Sequence, residues 1–456
     1  MKNTPPTRTR LTAAGSLALL LSAGLPVASA ADLTWINASA TANWNTSSLF
    51  WNDGSSDVAW TDNNAALFVG NGVARTITLT QNVQATSVSG NGTSGGTINF
   101  AGNFTLDVPK FTNTANANFD INVAITGSHG LTQEGLGRLV IYKSATYTGD
   151  TLIDATGLAN SKSSEIYIKV NNALPTTTLL NLKNGTGYLV TAVLTLNGTT
   201  TTTLSQELTA ITGNGIIQAR VGHDNLTINT ASGVSNTFSG TLKEYGAYVS
   251  TQSLGLTIKG AGTQELTGTN SYVGATLIEG GALKLGSNLS GTSSVTVNGG
   301  ALASTVANVN LGLGGVSMSG SGSAISINGT SIGTLTLAAS QNFTATTGTL
   351  NFTLGASNTS DKIMGTGVFS LTGTTLALDG ATSVAGTYTL FSGFTGSNTV
   401  SGIIITGLNP AYSGVLGTDG ILTVSLASIP EPSTYAAILG VAVLGFVAYR
   451  RRTKRD

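Results

Sequence analysis

Apolar and polar residues alternate in short runs through almost the whole chain, which is the pattern of strands with one buried face. Thr191–Leu196 and Ile421–Leu426 are examples, and β-branched residues are enriched in them. Further runs of this kind are Arg75–Thr80, Thr97–Leu106, Leu226–Ile228, Ser294–Val297, Gly333–Leu337 and Thr349–Leu354. No amphipathic helical pattern is present between Asp32 and Ser428, so the body is predicted to be all-β.

Asn-Gly pairs separate many of these runs and favour tight turns, because both residues accept a positive φ. They occur at Asn71-Gly72, Asn91-Gly92, Asn184-Gly185, Asn197-Gly198, Asn214-Gly215 and Asn298-Gly299. A long body of short strands and turns is either one solenoid or an array of β-sandwiches.

The N-terminal 30 residues have a different pattern. A basic stretch ending at Arg10 precedes the mostly apolar segment Leu11–Leu25, and small residues follow at Ala28 and Ala30. This order is typical of a secretory signal peptide cut after Ala30, so the Sec translocon and signal peptidase are predicted partners. A permanent membrane helix is the alternative, but the apolar segment is short and contains glycine and proline.

The C-terminal end has three parts in order. Pro430-Glu431-Pro432 is held extended by its prolines, and the apolar run Ser433–Tyr449 follows it. As a helix, 17 residues would be about 25 Å long, the short end of what spans a bilayer, so a transmembrane helix is predicted. The cations that follow predict a cytoplasmic end; they are Arg450, Arg451, Arg452, Lys454 and Arg455.

This arrangement resembles the PEP-CTERM sorting signal of Gram-negative bacteria. The resemblance implies that an exosortase recognises Pro430, Glu431 and Pro432 while the tail holds the chain in the inner membrane. It also implies release to the cell surface or extracellular matrix, in a system associated with exopolysaccharide and biofilm. The alternative is an ordinary C-terminal anchor.

Charge and cysteine content exclude several classes of protein. Between residues 31 and 428 there are 12 Lys and Arg and 18 Asp and Glu, so the net charge of the body is 12 − 18 = −6. A basic nucleic-acid footprint is therefore absent. The chain has no cysteine, so packing and hydrogen bonds must stabilise the exported protein without disulfides.

Two segments repeat at a constant offset of 125 residues. Leu131–Gly137 and Tyr147–Ile153 align with Leu256–Gly262 and Tyr272–Ile278. The signature positions are Gly135, Gly137, Tyr147, Gly149, Thr151, Gly260, Gly262, Asn270, Tyr272, Gly274 and Thr276. A degenerate third copy is predicted within residues 226–242, around Asn236–Leu242.

These copies resemble the passenger-associated (autotransporter-associated) β-strand repeat. The second copy, Leu256–Leu285, follows the pattern closely, whereas Lys143-Ser144-Ala145 departs from it in the first. The resemblance implies a right-handed parallel β-helix with glycines at tight corners. An array of sandwiches is the alternative fold.

The predicted domain order follows from these features. It is a signal peptide at 1–30, a Trp-rich N-terminal cap at 31–70, a β-helix at 71–355 with repeats near 131–157, 226–242 and 256–285, a C-terminal β module or cap at 356–428, and the sorting signal at 429–456. The cap contains the four tryptophans of the chain, Trp35, Trp44, Trp51 and Trp60. They are predicted to plug the first coil, and a stacking platform for sugars is the alternative.

Candidate catalytic chemistry is sparse. The pair His223-Asp224 is interpreted as turn residues, and Asp53 and Asp57 lack the dense oxygen spacing of a calcium loop. No catalytic residue, cofactor or metal is predicted, and the chain is predicted not to be an enzyme.

The predicted function is that of an exported structural or adhesive surface protein, with extracellular polysaccharide as a candidate partner. One alternative is a carbohydrate-active β-helix enzyme, which would need Asp150, Asp154 and Arg138 to converge in one groove. The other is a passive glycan-binding module that uses the tryptophans.

Overall fold

The computed structural model describes residues 30–70, 73–92, 96–114, 118–246, 252–379, 385–427 and 432–452. Ala28 of the predicted signal-peptidase site, Pro430 and Glu431 of the sorting motif, and Lys454 and Arg455 of the basic end lie outside the described residues. Strands dominate the described part, which confirms the all-β prediction.

The strands are short and follow one another along the chain. The first part comprises β1 (Asp32–Trp35), β2 (Thr41–Trp44), β3 (Trp51–Asn52), β4 (Asp57–Val58), β5 (Asn64–Gly70), β6 (Arg75–Leu79), β7 (Val83–Gly92), β8 (Thr97–Gly102), β9 (Thr105–Asp107), β10 (Lys110–Asn113), β11 (Asn118–Ile121), β12 (Ala124–Thr126), β13 (Leu131–Gly135), β14 (Gly137–Ile141), β15 (Thr151–Asp154), β16 (Ser163–Ile168), β17 (Leu179–Lys183), β18 (Thr191–Leu196), β19 (Ser205–Leu208), β20 (Ala210–Gly213), β21 (Ile216–Ala219) and β22 (Gly222–Thr230).

The second part continues in the same manner to the C-terminal helix. It comprises β23 (Ser235–Phe238), β24 (Thr241–Glu244), β25 (Gln252–Gly260), β26 (Thr263–Leu266), β27 (Thr276–Ile278), β28 (Ala282–Leu285), β29 (Val295–Asn298), β30 (Ala301–Ser304), β31 (Asn308–Leu311), β32 (Val316–Ser319), β33 (Ala324–Ser326), β34 (Thr334–Leu337), β35 (Phe343–Ala345), β36 (Thr349–Thr353), a 3₁₀ turn (Ala356–Asn358), β37 (Lys362–Met364), β38 (Phe369–Thr372), β39 (Thr375–Asp379), β40 (Gly386–Thr389), β41 (Phe391–Ser392), β42 (Thr399–Ser401), β43 (Ile404–Thr406), β44 (Tyr412–Leu416), β45 (Ile421–Leu426) and α1 (Pro432–Arg452).

Successive coils place these strands on three faces of a solenoid, and strands of one face pair in parallel from coil to coil. The first face runs from β1 and β5 to β39 and β43. The second runs from β2 to β24 and resumes from β31 to β41, and the third runs through β9 and β12 and then from β19 to β42. A sandwich array would be built from antiparallel sheets, so this stacking supports the solenoid.

Period-two alternation turns every second side chain of a face inward. On the third face, Ile228 pairs with Ile258, Ile258 with Ile278, and Ile278 with Val297. These side chains are almost fully buried, and they belong to one cluster of buried residues that extends from Leu33 to Val424. Stacked aliphatic side chains are therefore the main source of burial in a chain without disulfides.

The N-terminal end is closed by the tryptophans. Trp44 and Trp60 are completely buried, and the ring centroid of Trp51 lies 5.0 Å from that of Trp44 and 4.8 Å from that of Trp60. Next to them, β3 pairs antiparallel with β1 and with β4. This antiparallel addition covers the outer edge of β1, which would otherwise be open to further strands.

At the other end, the parallel stack continues past residue 355. The strands β37, β38 and β39 still pair in parallel with strands of the coil before, and β41, β42 and β43 pair in parallel with them. Only β40, β45 and β44 form a separate antiparallel sheet, in which Tyr388 and Leu422 are buried. The predicted boundary at 355/356 is thus not marked by a break in stacking.

Two local predictions need correction. Asn91-Gly92 lies at the end of β7 and is not a separate turn, because residues Ala65–Gly70 of β5 pair with Ser87–Gly92 in register. The run Thr97–Leu106 is not one strand, since Gly102 with φ 121° turns the chain between β8 and β9.

The predicted apolar tail folds as α1, with Pro432 at its first position. Its large apolar side chains are exposed, among them Leu439, Val441 and Leu444, and Arg450, Arg451 and Arg452 lie in its last turn. Among the described residues, no helix combines the length and the apolar character needed to cross a membrane.

Candidate functional site

The repeat signature forms a buried hydroxyl network in the first copy. The hydroxyls of Tyr147 and Thr151 lie 2.5 Å apart, and the hydroxyls of Thr151 and Thr178 lie 2.9 Å apart. Thr178 also donates to the carbonyl oxygen of Gly149, at 3.0 Å. The chain of bonds therefore ties one coil to the next inside the core.

The second copy repeats this geometry. Tyr272 and Thr276 are 2.7 Å apart, Thr276 and Thr292 are 3.0 Å apart, and Thr292 donates to the carbonyl of Gly274 at 2.9 Å. Burial raises the pKa of the Tyr147 and Tyr272 hydroxyls, so both remain neutral donors. The signature tyrosines and threonines are thus interior cross-links.

Two glycine positions of the signature are required by the backbone. Gly135 and Gly260 have φ of 81° and 78°, and a Cβ at either would come within 2.2 Å of a carbonyl oxygen of the previous coil. Gly149 and Gly274 lie so close to the previous coil that a Cβ would approach its backbone to 2.4 and 2.3 Å. These positions let the corners of adjacent coils touch.

The copies differ where the sequence departs from the pattern. The amide of Asn270 is buried, accepts the N–H of Leu242 at 3.3 Å and donates to the carbonyl of Gly268 at 2.9 Å. Its counterpart is Ala145, whose backbone N–H donates to Ala173 instead. The second copy therefore has one more side-chain link between coils.

The two copies also occupy different faces. In the first copy, β13 and β15 lie on the first face and the irregular segment with Tyr147 stands on the third. In the second, β25 and β27 lie on the third face and the irregular segment with Tyr272 stands on the second. The same sequence unit is thus rotated by one face.

Thr178 and Thr292 complete the networks, and sequence reasoning missed both. Thr178 follows Thr151 by 178 − 151 = 27 residues, whereas Thr292 follows Thr276 by 292 − 276 = 16 residues. No constant spacing marks them, and threonine is common throughout the chain.

The residues required by the enzyme alternative do not converge. Arg138 on the second face forms an ion pair with Glu165 at 3.0 Å. Asp154 on the first face accepts the backbone N–H of Thr156 at 2.8 Å, and Asp150 accepts that of Leu179 at 3.4 Å. Their hydrogen bonds belong to turns and coil contacts.

His223 and Asp224 are not turn residues, because both lie in β22 and point to opposite sides of it. His223 is exposed and contacts Ser253, whereas the buried carboxylate of Asp224 accepts the N–H of Leu204 at 3.1 Å. Burial raises the pKa of Asp224 to about 6. The pair therefore has no shared site.

The Asp53 carboxylate caps its own turn by accepting the N–H groups of Ser55 and Ser56, at 2.9 and 2.8 Å. These hydrogen bonds lower the pKa of Asp53 to about 2. Asp57 accepts instead from the amide of Asn52. Within the described ranges, no group of three or more His, Cys, Asp or Glu side chains could hold a metal ion.

The tryptophans cannot serve as a platform for sugars in this structure. Each is at most 3% exposed, and their ring faces contact one another and Phe68. The burial supports their role as a plug. Of the predicted processing positions within the described residues, Ala30 is exposed and Pro432 starts α1.

Comparisons with known proteins agree with the repeat and the tail. The profile of the passenger-associated-transport repeat matches residues 131–155 and 256–285, and that of the PEP-CTERM protein-sorting motif matches residues 428–452. Both predicted resemblances are thereby confirmed.

The chain is also 29% identical, over 278 residues, to the adhesin BmaC autotransporter of Brucella suis biovar 1 (strain 1330). The similarity covers 55% of this chain and 7% of the adhesin, so the chain spans a small part of its relative's length. Together, the sorting motif, the repeats and this similarity indicate an exported, adhesin-like surface protein.

Proposed function

We propose that this chain is a non-enzymatic exported protein whose right-handed β-solenoid has a structural or adhesive role in a biofilm or exopolysaccharide matrix. The observation that carries the proposal is a sorting motif, residues 428–452, placed directly behind the last strand of a solenoid that carries passenger-type repeats. Similarity to an adhesin supports it. A coil stack with a polar outer surface offers many weak contacts to neighbouring molecules.

The proposed route has two cuts. Signal peptidase removes residues 1–30 at Ala28 and Ala30, and exosortase later acts at Pro430-Glu431-Pro432. Before the second cut, α1 and its terminal arginines hold the chain at the inner membrane. The exposed apolar side chains of α1, such as Leu439 at 69%, support this attachment, because a free apolar surface needs a cover.

The test replaces Pro430-Glu431-Pro432 by three alanines in the full chain and compares size and location with the unchanged protein in a host with exosortase. The variant is expected to keep its tail and remain with the inner membrane. Pro410→Ala, an exposed proline outside the motif, is the matched control and should be processed normally. Identical size and location for the alanine variant and the unchanged protein would contradict the proposal.

A further inference from the structure

Five residues form an outward row along the second face, Tyr142, Lys169, Asn197, Arg220 and Tyr245. We name it the tyrosine–cation row. Each follows a residue that pairs with the next coil, in the order Ile141, Ile168, Leu196, Ala219 and Glu244. Parallel strands are about 4.8 Å apart, so the row is roughly 19 Å long.

Aromatic rings and guanidinium groups stack within and beside this row. Arg220 Cζ lies 4.6 Å from the ring centroid of Tyr245 and 5.8 Å from that of Tyr167. Arg138 Cζ covers the same Tyr167 ring at 4.8 Å. Tyr142 and Tyr245, at the two ends of the row, remain 37% and 41% exposed. The end rings therefore offer surface to a ligand, and cation–π contacts hold Arg220 in place.

The charge of this surface is opposite to that of the body. Its outward residues include Arg138, Lys169, Arg220 and Lys243 against Asp120 and Glu165, a balance of 4 − 2 = +2, whereas residues 31–428 sum to −6. Two of the three arginines in that range lie here.

Lys169 and Arg220 are the unneutralised members. In the part of the chain that the structure describes, neither forms an ion pair with a carboxylate. The pKa of Lys169 is lowered by burial and by the nearby Arg220, which Asp120 and Asp224 offset in part. Like charges held side by side are unfavourable alone, and a bound anion relieves them.

We propose that the tyrosine–cation row binds an anionic, carboxylate-bearing polysaccharide along the solenoid axis. Carboxylates of the polymer meet Lys169 and Arg220, and sugar rings pack on Tyr142 and Tyr245. The inference rests on the proposed extracellular function and names its ligand class. A nucleic acid fits less well, because its phosphates, about one per 1.7 Å of duplex, would meet four cations on an otherwise acidic body.

The test measures binding of polygalacturonate to the full-length protein at low salt, with neutral dextran and duplex DNA as comparison ligands. The variant Lys169→Gln/Arg220→Gln is expected to bind polygalacturonate about tenfold more weakly. Lys284→Gln, an exposed lysine on the first face, is the matched charge control and should stay within about twofold. Circular dichroism and thermal unfolding establish that each variant is folded.

The conservative variant Arg220→Lys adds a sharper readout. It keeps the charge but loses the planar group that stacks on Tyr167 and Tyr245, so its affinity should lie between those of the unchanged protein and Arg220→Gln. Tyr245→Ala should also weaken binding, whereas Tyr188→Ala, which removes a 72% exposed tyrosine, should not.

Several results would overturn the inference. These are equal binding of dextran, tighter binding of DNA than of polygalacturonate, or unchanged affinity in the folded double variant. If the protein is processed and displayed but does not bind polygalacturonate, only this inference fails. If it binds but is never exported or processed, the proposed function fails instead.

Discussion

The hydroxyl groups of Tyr147 and Tyr272 lie where water does not reach, so their threonine partners decide whether the coils tolerate them. A buried hydroxyl that loses its partner costs more than the bond itself contributes. Both copies solve this problem with the same two bonds, although the coils around them differ. At the scale of single residues, the repeat signature therefore reports a requirement of the interior.

Tyr272→Phe tests this requirement. It removes the bond to Thr276 but leaves Thr276 bonded to Thr292, so unfolding should become easier by about 1 kcal/mol. Tyr147→Phe should behave alike, and Tyr188→Phe, on the exposed surface, should change stability by less than about 0.5 kcal/mol. Urea unfolding measures the differences, and a cost for the exposed control equal to that of Tyr272→Phe would refute the role assigned to the network.

Gly260→Ala and Gly233→Ala separate two costs of glycine replacement. Both positions have positive φ, 78° and 77°, but only at Gly260 would a Cβ meet backbone, the Thr230 carbonyl at 2.2 Å. Gly233→Ala should cost about 1 kcal/mol from φ alone, and Gly260→Ala clearly more. Equal losses in urea unfolding would mean that the close contact between coils is unimportant.

The Asp224 carboxyl should make stability fall with rising pH. Burial raises its pKa to about 6 in the folded chain from 3.8, so the folded state holds a proton that the unfolded state has released between those values. Stability from this group is complete below about pH 4 and is lost by about pH 6, a loss of at most about 3 kcal/mol. Asp224→Asn should flatten that part of the profile.

Urea unfolding at pH 4, 5, 6 and 7 measures this effect as the difference between the unchanged protein and the variant. Asp379→Asn, which removes an exposed charge, serves as the control. An Asp224→Asn profile parallel to that of the unchanged protein would show that Asp224 does not contribute.

At the scale of elements, the two ends of the stack are closed by different means. The tryptophan plug fills the first coil and the β3–β4 pair covers an edge, whereas the last coil is followed by the antiparallel sheet of β40, β45 and β44. Both closures replace parallel with antiparallel pairing. Such a change prevents the next coil from continuing the stack.

Trp44→Ala should cost about 3–5 kcal/mol, because the side chain is fully buried among Trp51, Trp60, Phe68 and Phe100. Leu49→Ala, 60% exposed in the same region, should be near neutral. Thermal unfolding measures both, and a mild effect of Trp44→Ala would argue that the plug is not part of the cooperative core.

Strands were predictable from the sequence because inward and outward residues alternate with period two, as in Thr191–Leu196 and Ile421–Leu426. The faces were not, because connections between strands vary in length and set the rotation of each repeat. The tyrosine–cation row shows the same limit. Its members follow one another by 27, 28, 23 and 25 residues, so no fixed spacing marks them.

At the scale of the whole molecule, both repeats have the length of one coil. Leu131 pairs with Thr151 and Leu256 with Thr276, each 20 residues later, as 151 − 131 and 276 − 256 show. Every coil rests on the one before, so stability is close to a sum over neighbouring coils. One coil can therefore be treated as a removable unit.

Deleting residues 256–275 should leave a folded protein. Thr276 and Ile278 would then take the places of Leu256 and Ile258 against β22, and the following strands keep their faces. Deleting only residues 256–265 would move later strands to wrong faces and should prevent folding. Circular dichroism and thermal unfolding distinguish the two, and similar behaviour of both deletions would contradict the prediction.

The 20-residue unit has a consequence for how such molecules vary. Gene duplication or loss that adds or removes one complete turn changes the reach of the fibre by less than 5 Å, the distance between stacked strands, and leaves both closures intact. Relatives could thus differ in length by small, regular increments while presenting the same two extremities to the cell and to its surroundings.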